Sequence, residues 1–71
     1  MQQRLMFTLV SADSGWQLYE GDQGREWFAS RSDALETADM MAMSLHAQHG
    51  IPTAVLVDMA GRESVMLVSH G

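Results

Sequence analysis

Seventy-one residues make a single domain, 1–71, and a chain this short buries only about 60% of its unfolded surface, which leaves stability marginal. Nine acidic side chains against four arginines and no lysine give a net charge of −5; this opposes phosphate backbones and anionic membranes and rules out Schiff-base and P-loop lysine chemistry. There is no cysteine, so neither a disulfide nor a thiolate metal site can add stability, and self-association becomes an attractive source of extra burial.

Gln2, Gln3 and Arg4 lead directly into a strand-like run without a cleavage pattern, and no apolar run nears the roughly 18 residues of a membrane span. The expectation is a cytoplasmic protein with no membrane partner. Arg4–Ser11 is the first expected strand, with Leu5, Phe7 and Leu9 alternating with Met6, Thr8 and Val10. Ala12-Asp13-Ser14-Gly15 has turn chemistry, and Trp16–Glu20 returns as the second strand of a hairpin. Gly21-Asp22-Gln23-Gly24 is a second turn, followed by a short third strand, Arg25–Ala29, with Trp27 and Phe28.

The stretch Ser30–Gly50 has the clearest helical signature. Ser30 is a candidate N-cap with Asp33 at capping-box spacing, Asp33 and Glu36 complement the positive end of the helix dipole, and Gly50 with Pro52 ends the helix. At about 100° per residue, Ala34, Leu35, Ala38, Met41, Ala42 and Leu45 share a core-facing stripe, whose alanines imply close approach to a sheet. Glu36, Met40, Met43 and Ala47 lie opposite, and the methionines suit an adaptable binding face.

Thr53–Asp58 is a β-branched fourth strand, Met59-Ala60-Gly61-Arg62 turns the chain, and Glu63–Ser69 is the fifth strand. The predicted fold is α+β, order β-β-β-α-β-β: a small antiparallel sheet with one helix packed on one face. Strands joined by two to four residues must be antiparallel. Yet the strands are apolar on both sides: Leu5/Phe7/Leu9 against Met6/Val10, Val55/Val57 against Ala54/Leu56, and Val65/Leu67 against Met66/Val68. One helix covers one face, so either another subunit covers the second, or strands four and five are central and the sheet curls on itself. A symmetric homodimer, or another protein partner, is expected. The candidate partner surface is either the second sheet face, with Met6, Val10, Met66 and Val68, or the helix flank, with Met40, Met43 and Ala47.

Gly15-Trp16, Glu20-Gly21, Ser30-Arg31-Ser32-Asp33-Ala34, Ala60-Gly61 and His70-Gly71 follow one another in an order and spacing that resembles a family of short bacterial proteins classed as a domain of unknown function. The family pattern is Gly-Trp, Glu-Gly, Thr-Lys-x-Glu-Ala at the helix start, a late Asp-Gly turn and a terminal Tyr-Gly; here Ser-Arg replaces Thr-Lys, Ala-Gly replaces Asp-Gly and His-Gly replaces Tyr-Gly. The resemblance covers residues 15–71 and implies a fold but no catalytic residues. A weaker resemblance is to small antitoxin-type domains of β-β-β-α-β order, which add a DNA-binding part that this chain has no room for.

Residue chemistry offers three other readings. His46 and His49, with His70 as a third ligand, could hold a metal or small ligand, but zincin-type helical pairs are spaced four apart with an intervening Glu, and histidines near a helix C-terminus serve its dipole and free carbonyls. Trp16, Tyr19, Trp27 and Phe28 could form a stacking platform for single-stranded nucleic acid, with Arg25 nearby, although aromatics are ordinary core material in a small domain. For catalysis, Ser11, Ser14, Ser69, Asp13, Asp58 and Glu63 lack any activating Gly-x-Ser-x-Gly or paired-carboxylate context. The sequence therefore points to a non-catalytic interaction module without a cofactor.

Overall fold

A computed structural model of the protein describes residues 4–58 and 63–71. The turn expected at Met59-Ala60-Gly61-Arg62, and with it the Ala60-Gly61 landmark, lies outside the described residues. The elements are β1 (Leu5–Ala12), β2 (Gly15–Glu20), β3 (Gln23–Phe28), α1 (Arg31–His49), β4 (Thr53–Asp58) and β5 (Ser64–His70). This is the α+β order predicted from sequence, with one helix laid on one face of a single five-stranded sheet, strand order β3-β2-β1-β4-β5.

The short turns make β1/β2, β2/β3 and β4/β5 antiparallel. The central pair, β1 with β4, is parallel, so the sheet is mixed rather than wholly antiparallel. The helix is the reason. Its 19 residues carry the chain back about 28 Å, the length of the sheet, so β4 starts from the same end as β1. β1 occupies the centre and β5 an edge, which excludes the arrangement with strands four and five both central.

Local chemistry accounts for the helix ends. Ser30 is extended (φ −110°, ψ 133°), and its Oγ accepts from the Asp33 N–H at 3.4 Å. Gly50 takes the left-handed conformation (φ 69°), donating to the His46 carbonyl at 2.8 Å. At the first hairpin, Asp13 and Ser14 both have positive φ (49° and 66°), the backbone a two-residue turn needs between twisted strands.

The core lies between helix and sheet. Ala34, Ala38 and Ala42 are fully buried against Phe7, Leu9, Leu18, Val55 and Val57, with Leu35, Met41 and Leu45 packed at the margins. The alanines let the helix sit low on the sheet. That close approach buries Thr53, whose hydroxyl donates to the Ala42 carbonyl at 2.9 Å.

Candidate functional site

Strand alternation gives the sheet a second side, opposite the helix. β1 contributes Met6, Thr8 and Val10; β2 contributes Gln17 and Tyr19; β4 contributes Ala54, Leu56 and Asp58; β3 contributes Gly24 and Trp27 by register. On β5, Met66 pairs with Leu56, and Leu67 is the extra residue of a bulge. No described element covers this side. Met6, Val10, Tyr19 and Leu56 are half-buried, and Trp27, Met66 and Leu67 are 47%, 51% and 39% exposed. Among the described strand residues here, Asp58 is the sole carboxylate, so the charge of this acidic chain lies elsewhere.

Two bulges decide which residues reach this side. In β5, the register with β4 shifts between Val55 and Leu56, so Val68 faces Val55 while Met66 faces Leu56. One extra residue reverses the parity of everything beyond it. Val68, expected beside Met66, therefore packs against the helix-side core, and His70 follows it onto the helix side. In β3, a second shift opposite Leu18 leaves the Glu26 carbonyl to accept from the Gln17 side-chain amide at 3.3 Å.

The sequence-predicted partner residues thus fall into three places. Met6, Val10 and Met66 line the uncovered side. Met40 (58% exposed), Met43 (49% exposed) and Ala47 form the outer ridge of the helix, on the opposite side of the molecule. Val68 belongs to the core margin. The sheet face and the helix flank, the two alternatives, are separate surfaces.

The four aromatics also separate. Trp16 and Phe28, paired across β2 and β3, pack against the core, and the Arg31 guanidinium lies 5.9 Å from the Trp16 ring centroid. Tyr19 and Trp27 face the uncovered side. A four-ring platform for nucleic acid is not formed, because neighbours in a strand point to opposite faces. Trp27 instead lies over the first hairpin: its indole N–H donates to the Ala12 carbonyl at 3.2 Å, and a Cβ on Gly15 would collide with the ring and come 2.5 Å from the Phe28 carbonyl. Gly15 is glycine for that reason.

The histidines have separate tasks. His46 Nδ1–H donates to the Ile51 carbonyl at 3.0 Å, closing the loop after the helix; His70 Nε2–H donates to Asp39 Oδ1 at 2.8 Å, tying β5 to the helix; His49 is exposed. Among the described residues, no group of three or more His, Cys, Asp or Glu is placed to hold a metal ion.

A shallow cleft of about 460 Å³ runs along the helix flank beside β2 and β3, floored by Phe7, Met41 and Leu45 and rimmed by Ser44, Gln48 and the Glu20–Arg25 ion pair at 3.4 Å. Sequence reasoning missed this flank, since Glu20 and Arg25 meet only through strand pairing. It also missed Leu67, whose bulge no local pattern announces. Trp27 and Phe28 are neighbours in one strand, so alternation alone sends them to opposite faces; which of them shares a face with Trp16 is set by the pairing of β2 with β3. No described helix is long and apolar enough to cross a membrane. Comparison with family models, with curated proteins and with solved structures finds no match for this chain.

Proposed function

We propose that this protein is a small non-catalytic interaction module of the cytoplasm that associates with copies of itself. The observation behind this reading is the apolar surface that the helix leaves uncovered, on the second side of the sheet at Met6, Val10 and Leu56 and along its β5 edge at Val65, Met66 and Leu67, in a domain too small to be generously stable alone. Association would supply burial that the single helix cannot. The resemblance to the short bacterial family is part of the proposal: Gly15 under Trp27, Gly21 at positive φ and the Ser30 cap give three of its landmarks structural reasons.

Native mass spectrometry of the untagged protein across the micromolar range tests this. The expected result is a dimer whose fraction rises with concentration and which carries no additional mass. A monomer at every concentration overturns the reading, and a retained metal or small molecule replaces it with a ligand-binding one. Replacing Met40 and Met43 together by Glu is expected to leave association intact, because the helix ridge lies on the far side of the molecule from the uncovered sheet.

A further inference from the structure

The sheet has two edges, and they are built differently. β3, at one edge, reads Gln-Gly-Arg-Glu-Trp-Phe; it places Arg25 and Glu26 in mid-strand, is kinked by a bulge, and spends its Trp27 indole on the neighbouring hairpin. Mid-strand charge is a device by which edge strands resist pairing; a bulge is present in both edge strands and does not distinguish them. β5, at the other edge, reads Ser-Val-Met-Leu-Val-Ser-His and contains no Asp, Glu, Lys or Arg. Val65, Met66 and Leu67 are 41%, 51% and 39% exposed in its middle. In a chain of net charge −5, this is the longer edge strand and the one with no carboxylate between its first and last residues, Ser64 and His70.

We propose that two copies of this chain pair antiparallel along β5, forming one continuous sheet about a two-fold axis perpendicular to it. The proposal rests on the self-association reading and names its contact. The symmetry follows from the geometry: neighbouring antiparallel strands of one sheet exchange only by a two-fold axis normal to the sheet, so both helices lie on one side and both uncovered faces on the other. The contact is isologous and uses up the apolar edge of each copy, leaving only the charged β3 edges outermost; the assembly closes at a dimer and does not grow into a filament.

In edge pairing, main-chain hydrogen bonds supply the affinity.

Sedimentation equilibrium of the wild type, Leu67→Lys and Met6→Lys tests this. The expected result is a wild-type dimer, a Met6→Lys variant that dimerises like it, and a Leu67→Lys variant whose dissociation constant rises by about tenfold or more through like-charge juxtaposition at the axis. Because the chain has no cysteine, single cysteines give a second readout that is independent of how the lysine variants fold. Under mild oxidation, Leu67→Cys at the axis should yield covalent dimers, whereas Val65→Cys, two residues off the axis and out of disulfide reach of its own copy, Gln23→Cys on β3 and Met40→Cys on the helix should not. A wild-type dimer that Met6→Lys abolishes and Leu67→Lys preserves, or cross-links at Gln23 or Met40 with none on β5, overturns edge pairing while self-association stands. A wild-type monomer at all concentrations overturns both.

Discussion

The two faces of the sheet are laid down by the same alternation of side chains, yet they are finished in different ways. On the helix side, alanines at 34, 38 and 42 bring a helix down onto Phe7, Leu9, Leu18, Val55 and Val57, all at most 1% exposed. On the other side, Met6, Val10 and Leu56 are half-buried and nothing described lies above them. The helix side has a polar group too, but Thr53 hands its hydroxyl to the Ala42 carbonyl; on the open side, polar groups such as Thr8 and Gln17 sit among apolar neighbours with access to water. A close-packed side tolerates neither added volume nor an unpaired polar group. A half-wet side tolerates both, and it keeps its apolar surface for another molecule.

That contrast can be broken most sharply at Ala38. Enlarging it to Leu must lift the helix from the sheet, and a loss of about 1–3 kcal/mol in urea unfolding is expected; Met40→Leu on the outer ridge should stay within about 0.5 kcal/mol. Loss of less than that at Ala38 would mean that the helix is not seated as described.

The bulge in β5 gives a finer test, because it sends two residues of one strand to opposite sides. Val68→Ala should lower stability by about 1 kcal/mol through lost apolar burial. Met66→Ala, measured dilute enough to keep the protein monomeric, should change it by less than about 0.5 kcal/mol. Reversal of that order would place the bulge elsewhere. The smallest effect expected is at the two threonines. Thr53→Val removes a buried hydrogen bond and should cost about 1 kcal/mol or less, whereas Thr8→Val on the open side should be neutral or slightly stabilising.

Much of this architecture is legible in the chain. The Ser30 cap, the Gly50 stop and the helix stripe follow from local rules, and β4 occupies the predicted Thr53–Asp58. The conflict between one helix and two apolar sheet sides is also readable, from Leu5/Phe7/Leu9 against Met6/Val10. What was not legible is how separated residues meet. Val68 looked like a companion of Met66 because alternation was followed through a bulge that only pairing with β4 reveals. Trp16 and Trp27 looked like one aromatic group because their strands are adjacent.

The sequence by itself determined the elements and their order, since capping, turn chemistry and the 3.6- and 2-residue periods act over a few positions. It also determined that one helix leaves apolar residues without cover, which is arithmetic on side chains. The tertiary structure decided the rest. The parallel β1/β4 pairing follows from the helix carrying the chain back across the sheet; the fate of Val68 follows from strand register; and the unequal edges follow from β3 and β5 ending up outermost. Each of these depends on contacts between distant parts of the chain, whose geometry is set by the packing of helix on sheet and has no counterpart in any local run of residues.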